Sequence, residues 1–350
     1  MLRRTSLALL AAALASGAAA ADFPVVDSKL WGSGASLQPP TWLDARQVMF
    51  LTALGFKANE RARAIAVWDV DGKARLYRDS VNYYCHRDGV IVYKALDPAD
   101  PGLVNGTWYA GPVGDEKPVR KDVTGDFARL YDPINCRIGT NEEAARQTRR
   151  AGRRILPLLE KHGYLDVRPL SGADAMENTP VQLVRAADNR AMPLPFGSRE
   201  FSSTRTAYYP FAGAYLFTSV YFDAQKRESR SPWPAKIERP VWIVTPAGAA
   251  TQQSVPSGPW SGKDDPFLYL SKAGLLLVRY GGADDKTDGL YLMSGGRLQH
   301  LLPGRVGAVG VSPEGCSVAF THAASLEADS EDPKENRRTL KMMRLCTSNP

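Results

Sequence analysis

The chain carries four histidines, His86, His162, His300 and His322, so acid–base and metal chemistry have few places to start. No two of them stand at the short spacings that bring paired imidazoles onto one zinc ion. His322, followed by Glu327 and Asp329, is the one grouping that offers an imidazole with nearby carboxylates. A nucleophile elbow, a His-Glu-x-x-His helix and a glycine-rich phosphate loop are all missing from the sequence. Asp69-Val70-Asp71-Gly72 has the acidic residues of a calcium loop, but its glycine falls at the fourth place where such loops need it at the sixth. The apolar runs on either side make it a hairpin turn instead. No cofactor or metal site is expected from these residues.

The four cysteines, Cys85, Cys136, Cys316 and Cys346, contain no Cys-x-x-Cys pair, which removes the usual signature of structural zinc and of a redox-active dithiol. Two disulfides are the expected state if the chain reaches an oxidising compartment. The N-terminus argues that it does. Arg3 and Arg4 precede an apolar run from Leu7 to Leu14, and Ala18 to Ala21 stand ahead of Asp22, the layout of a secretory signal peptide over residues 1–21. That run is shorter than the roughly 20 residues needed to span a bilayer, and no later segment is long and apolar enough, so no transmembrane segment is expected. No cysteine follows the run to receive lipid, and most of the twin-arginine pattern is missing, so ordinary export to the periplasm or beyond is expected. Removing Arg3 and Arg4 takes the formal charge from +7 to +5. This modest basicity is compatible with anionic envelope components, and export argues against nucleic acid as a partner.

The 350 residues, 44% hydrophobic and 23% charged, suit a folded globular chain. What must position the candidate residues is a repeated hairpin. Pro40-Thr-Trp42-Leu-Asp44 and the β-run to Phe50 align with Val309-Gly-Val311-Ser-Pro-Glu-Gly315-Cys-Ser-Val-Ala-Phe320. Further copies lie at 81–93 around Asp88-Gly89, 130–138 around Asn135, 208–217 around Gly213 and 268–278 around Gly274, six in all. Each is followed by a second hairpin, clearest at 65–77 around Asp71-Gly72, at 241–248 and at 290–296, and weaker at 107–111 and 155–163. Four antiparallel strands recurring at about 40 to 60 residues without crossover helices are propeller blades. The expected fold is therefore all-β, a six-bladed β-propeller forming a single domain over residues 22–350, with an insertion near 172–204. The sixth copy, at 339–346, has only a third strand, and residues 23–31 are expected to supply its fourth and close the ring, with Pro24 outside the ladder.

The Pro-x-Trp-x-Asp-x-Arg and Val-Ser-Pro-Glu-Gly-Cys-x-Val-Ala-Phe hairpins, with Val67-Trp68-Asp69-Val70-Asp71-Gly72-Lys73, resemble the repeats of TolB-type periplasmic β-propellers. The resemblance spans most of residues 40–346 and is closest in the first and last blades. It implies a propeller fold, a periplasmic compartment and a binding role, although the helical N-terminal domain that TolB itself carries is not seen.

On this blade alignment Cys85 ends one strand and Cys136 begins another on the same face of neighbouring blades. Cys316 and Cys346 meet at adjacent strand ends of the last blade. The expected disulfides are Cys85–Cys136 and Cys316–Cys346. Trp42, Tyr84, Tyr131, Tyr209, Leu270 and Val311 occupy one repeated position and are expected to pack between blades rather than to stack on sugar. The links from second to third strands emerge opposite the cysteines, over residues 52–63, 95–105, 139–154, 223–240, 281–288 and 322–338. Long loops on a rigid frame are where recognition residues gather. The third link is basic through Arg146, Arg149, Arg150, Arg153 and Arg154, and a helix start at Thr140-Asn141 implies a short helix over 142–150. The fourth is basic through Lys226, Arg227, Arg230, Lys236 and Arg239, while the fifth and sixth are acidic through Asp284, Asp285, Asp288 and residues 327–335. Trp233, held between two prolines, is a candidate anchor. Arg227, Arg230, Trp233, Arg149 and Arg150 are thus the expected binding residues of a non-catalytic scaffold for a cell-envelope protein or glycan. The alternative from this reading is a propeller hydrolase or lyase acting on polysaccharide at the central funnel.

Overall fold

The computed structural model describes residues 23–32, 39–53, 63–97, 99, 106–119, 131–132, 136–139, 165–169, 181–185, 190–192, 207–218, 239–245, 247–255, 267–279, 287–323 and 338–346. Among them there is no α-helix. The signal segment, the 142–150 stretch and the 155–163 hairpin lie outside the described residues.

Strand β1 (Val25–Gly32) precedes a first unit of β2 (Thr41–Trp42), β3 (Gln47–Ala53), β4 (Arg63–Asp69) and the first half of β5 (Ala74–Arg87). The second half of β5 opens a second unit with β6 (Val90–Leu96), β7 (Gly106–Pro112) and β8 (Lys117–Pro118). No loop separates the two units, because β5 turns at Ser80, at φ 52°, and Val81 pairs with both Arg63 and Ala95. A hairpin of β9 (Tyr131–Asp132) and β10 (Arg137–Ile138) follows. Next comes a three-stranded sheet of β11 (Leu165–Pro169), β12 (Val181–Arg185) and β13 (Ala191–Met192). Two of those strands fall within residues 172–204, the stretch read from sequence as a connecting insertion.

The remaining units are regular. One holds β14 (Ala207–Tyr209), β15 (Ala214–Thr218), β16 (Arg239–Val244) and β17 (Ala250–Val255). The next holds β18 (Phe267–Ser271), β19 (Gly274–Arg279), β20 (Gly289–Ser294) and β21 (Arg297–Pro303). The last holds β22 (Arg305–Val311), β23 (Ser317–Ala323) and β24 (Arg338–Arg344). Its fourth strand is β1, antiparallel to β24 from Val25↔Met343 to Gly32↔Arg338, with Pro24 before the ladder. Gly32 also pairs with Thr52, so the last, first and second units form one sheet of eleven strands.

The two-residue turns have the backbone their sequences ask for. Asp88-Gly89 and Gly295-Gly296 have φ of 50°, 77°, 57° and 75°, the paired left-handed residues of a tight hairpin, which glycine reaches without strain. Asp69-Val70-Asp71-Gly72 is likewise a turn: the Gly72 N–H donates to the Asp69 carbonyl at 2.9 Å, and Arg46 bridges Asp71 at 2.8 Å.

The β18–β21 sheet and the β3 region of the large sheet are covered on both faces, which explains near-continuous apolar runs such as Leu275-Leu276-Leu277-Val278. Leu276 and Val278 pack on Val309, Val318 and Phe320 of the last unit, whereas Leu275 and Leu277 turn to Tyr209, Leu216 and Val241 of the unit before. In β3, Val48 and Phe50 face Ala319, Leu340 and Met342, while Met49 and Leu51 face Tyr84, Ile91 and Tyr93. Burial of this kind stabilises by about 25 cal/mol per Å² of apolar surface.

The strand-one aromatics seal these junctions, as expected. Trp42 is buried and its Nε1 donates to the Gly310 carbonyl at 2.9 Å; Tyr84 is buried and its hydroxyl donates to the Met49 carbonyl at 3.0 Å. A side chain on Gly310 would strike the Pro40 carbonyl, so the close approach of these two units needs glycine there. Tyr209 and Leu270 are buried as well, and Val311 is half-buried; the Tyr131 side chain lies outside the description.

The junction of the first and second units also carries a polar clamp. Arg78 Nη2 meets Glu116 Oε2 at 2.6 Å and Arg78 Nε donates to the Tyr93 hydroxyl at 3.0 Å. The Tyr77 hydroxyl donates to Glu116 and accepts the Gly114 N–H at 2.8 Å. Tyr93 in turn stacks on Tyr109 at 5.2 Å.

Candidate functional site

Every regular unit has two unlike ends. At one end the strands are joined by tight turns, at Asp88-Gly89, Gly213, Lys272-Ala273 and Pro313-Glu314-Gly315 between first and second strands. Asp71-Gly72, Gly248 and Gly295-Gly296 do the same between third and fourth strands. Both disulfides sit at this end. Cys85 is bonded to Cys136, with Cα atoms 5.4 Å apart, and Cys316 to Cys346, with Cα atoms 5.0 Å apart. The pairing is the one expected from the blade alignment. Cys85 and Cys136 form a small core with Val92 and Trp108 that ties the second unit to the β9–β10 hairpin.

The opposite end carries the stems of the long links: Ala53 and Arg63, Leu96 and Gly106, Thr218 and Arg239, Arg279 and Gly289, Ala323 and Arg338. Arg149, Arg150, Arg227, Arg230 and Trp233 lie on links outside the described residues, as do Glu327 and Asp329. Strands extend into the expected ends of several links: Thr52 and Ala53 lie in β3, Arg63 in β4, Ala95 and Leu96 in β6, His322 and Ala323 in β23 and Arg338 in β24. Arg239 and Pro240 belong to β16, paired with Val255 and Ser254, so Arg239 is not a link residue. Among the described residues the β15–β16 ladder ends at Thr218↔Val241, so Pro240 lies just beyond it.

The fifth stem corrects a second expectation. Asp288, read as part of an acidic solvated link, is fully buried, with Arg279 Nε 4.0 Å from its Oδ1. The adjacent ladder is Arg279↔Gly289, and the Asp288 carbonyl accepts the Gly304 N–H at 3.1 Å. Gly289 has to be glycine: a side chain there would strike the Leu302 carbonyl and His300 Nε2. Tyr291 packs at the same stem, its hydroxyl donating to the Thr287 carbonyl at 2.7 Å and its ring stacked on His300 at 4.2 Å. Burial pushes the Tyr291 phenol up, with Arg279 and Asp288 acting in opposite senses. Sequence reading missed this pair because Arg279 closes an apolar strand and Asp288 follows two other acidic residues; an arginine ending a run of buried leucines was the available signal.

At the sixth stem His322 is buried, and its Nε2 lies 2.8 Å from the Pro303 carbonyl, which fixes it as the protonated nitrogen of the neutral ring. Burial holds its pKa below the usual range; the Pro303 bond opposes that, Lys341 adds to it and Asp27 opposes it. Asp27 on β1 lies 4.0 Å from Lys341 and accepts the Thr339 hydroxyl at 3.4 Å. The polar neighbours described for His322 thus come from β1, β21 and β24, and its role here is to fasten the terminal strand's unit. Among the described residues no three His, Cys, Asp or Glu side chains gather at metal-binding distance.

No protein-family profile matches the chain, and no curated protein matches it. Among solved structures, the β-propeller domain of the trilobed protease from Pyrococcus furiosus is 11% identical at a TM-score of 0.31, covering 82% of this chain and 78% of that one. A luciferin-regenerating enzyme is 8% identical at a TM-score of 0.41, covering 92% and 95%. Tricorn protease is 9% identical at a TM-score of 0.41, covering 86% of this chain and 33% of its own.

Proposed function

We propose that the chain is an exported six-bladed propeller of the TolB-like periplasmic kind, closed by β1, that serves as a non-catalytic binding scaffold for a protein or glycan of the cell envelope. The observation that carries this reading is the division of labour between the two ends of the units. One end is tied by short turns and two disulfides. The other presents, among the described residues, the stems of five of the six long links, on strands such as β3 and β19 that are buried on both faces. The disulfides favour an oxidising compartment. The apolar layers run from the β14–β17 unit through the last and first units to the β9–β10 hairpin, an order that a ring would complete.

Recognition then falls to the third and fourth links. Exposed charge pairs are each worth about 0–1 kcal/mol, so Arg149, Arg150, Arg227 and Arg230 act on orientation and association rate, and Trp233 supplies the anchor. Crosslinking in intact cells followed by mass spectrometry identifies the partner. With that partner, Arg227→Glu combined with Arg230→Glu slows association in a salt-sensitive way, and Trp233→Ala speeds dissociation. Unchanged kinetics in both variants reject this face, and release of glycan fragments by the purified protein rejects the non-catalytic reading.

A further inference from the structure

In the turns from first to second strand, a left-handed glycine repeatedly stands just before the second strand. Gly89, at φ 77°, precedes β6 and Gly213, at φ 54°, precedes β15, a backbone that glycine reaches without strain. Gly315, at φ 77°, meets the same need two residues before β23. In the β9–β10 hairpin the residue at this place is Cys136, at φ 47°. A side chain there costs energy that glycine avoids, and of the four cysteines Cys136 alone has a positive φ. An outlier at a turn that the fold elsewhere gives to glycine points to the work of its side chain. That side chain holds Cys85 of the second unit.

The two disulfides are therefore unlike. Cys316 and Cys346 stand at the ends of paired strands: Ser317 pairs with Arg344, and the Leu345 N–H donates to the Cys316 carbonyl at 2.7 Å. With the sulfurs parted, that ladder still holds the two residues together and favours closing the bond again. Cys85 and Cys136 come from different sheets, the eleven-stranded one and the β9–β10 pair, and are 51 residues apart. Opening their bond lets Cys136 leave its left-handed backbone. Neither pair has Cys-x-x-Cys spacing, so these bonds are acted on by an external thiol and do not themselves act as a dithiol.

We propose that Cys85–Cys136 is a redox-sensitive tie, opened in preference to Cys316–Cys346 by a protein dithiol, and that its opening frees the β9–β10 hairpin from the second unit. In the exchange a thiolate of the dithiol attacks one sulfur of the pair, and the other sulfur leaves as a thiolate. The second thiol of the reductant then attacks the mixed disulfide, so the reductant ends as a disulfide and both cysteines end as protonated thiols. Strained bonds are the labile ones in such exchange. Both cysteines share a small core with Val92 and Trp108, Ile138 packs against it, and Gly139 opens the third link directly after β10. The tie thus fixes the root of the link that carries Arg149 and Arg150. Its bearing on recognition rests on the reading of that link as a binding element, whereas the order of opening does not.

Titration of the wild type with dithiothreitol, followed by differential alkylation and mass spectrometry, measures that order. Cys85 and Cys136 become alkylated at about tenfold lower reductant than Cys316 and Cys346. At that point hydrogen exchange speeds by about fivefold or more in peptides spanning β9 and β10, and stays unchanged in β23 and β24. Cys85→Ala combined with Cys136→Gly removes the tie and places glycine at the turn, so this variant keeps the fold and shows the faster hairpin exchange without reductant. Simultaneous opening of the two disulfides, earlier opening of Cys316–Cys346, or an untied hairpin that exchanges no faster each overturns the proposal. None of these measurements uses a partner, so their failure is distinct from failure of the link face in recognition.

Discussion

Two carboxylates are buried beside arginines in the described structure, and the two sites are built differently. Glu116 meets Arg78 at 2.6 Å and also takes hydrogen bonds from the Tyr77 hydroxyl and the Gly114 N–H at 2.8 Å. Asp288 lies 4.0 Å from Arg279, whose buried Nη1 has no hydrogen-bond partner among the described residues. The first is a hydrogen-bonded network that fixes the junction between two units. The second holds a charge pair at the root of a long link, where attraction across low dielectric carries more of the desolvation penalty. Junctions in this molecule are thus specified by geometry, and the link face is rooted in electrostatics.

Truncation separates the two most strongly. In Asp288→Ala the Arg279 side chain, 9% exposed, keeps its charge without access to water, and a loss of about 3–5 kcal/mol in urea unfolding is expected. In Glu116→Ala the Arg78 side chain, 37% exposed, can turn to solvent, so a smaller loss of about 1.5–3 kcal/mol follows. A larger loss at Glu116 than at Asp288 would reverse the contrast.

Much of the junction architecture was legible in the residues, because a hairpin repeat, a turn dipeptide and a strand-one aromatic are local signals. Asp88-Gly89 and Gly295-Gly296 announced their turns, and the cysteine pairing followed from strand ends. The Phe23-to-Trp31 segment was readable as a fourth strand because the last unit lacked one. The charged pairs were not legible. Glu116 follows a turn far in sequence from Tyr77 and Arg78, and only the folding of one unit onto the next brings them together. Asp288 looked like its acidic neighbours because sequence shows a charge and not the depth at which it sits. The strands within 172–204 were missed since their pairing partners come from a sheet of three, which breaks the repeat used to find the others.

Acid separates the regions by pH window. Burial acts to raise the pKa of Glu116, but hydrogen bonds from Tyr77, Gly114 and Arg78 outweigh it and hold the carboxyl below its usual 4.5. The unfolded chain therefore takes up that proton first, so the Glu116 contribution is fully present above about pH 4.5 and is lost as pH falls through the folded value. His322 is held below its usual 6.5, mainly by burial, so the fold accommodates the neutral ring. Its contribution is likewise present above pH 6.5 and declines as pH drops into the window beneath. Unfolding measured across pH should show two descents, the upper one shallower in His322→Gln and the lower one shallower in Glu116→Gln. Some upper slope persists in His322→Gln, because burial also lowers the pKa of His86. An upper slope unchanged by His322→Gln would place that titration elsewhere.

The smallest expected difference lies between two tyrosines that anchor these same sites. Tyr77 donates to a charged carboxylate and accepts the Gly114 N–H, and burial together with the Glu116 bond pushes its phenol up to about 12. Tyr291 donates to the neutral Thr287 carbonyl, and its stacking on His300 survives loss of the hydroxyl. A hydrogen bond to an ionised group is worth about 1.5–3 kcal/mol against about 0.5–1.5 for a neutral one. Tyr77→Phe should accordingly lower stability by the larger amount, and by less in a Glu116→Gln background where the acceptor is neutral. Tyr291→Phe should lose about 1 kcal/mol or less, independent of the state of Glu116, because the two sites share no partner. Equal losses for the two tyrosines, or coupling of Tyr291 to Glu116 in a double-mutant cycle, would mean that the junction and the link stem are one network and not two.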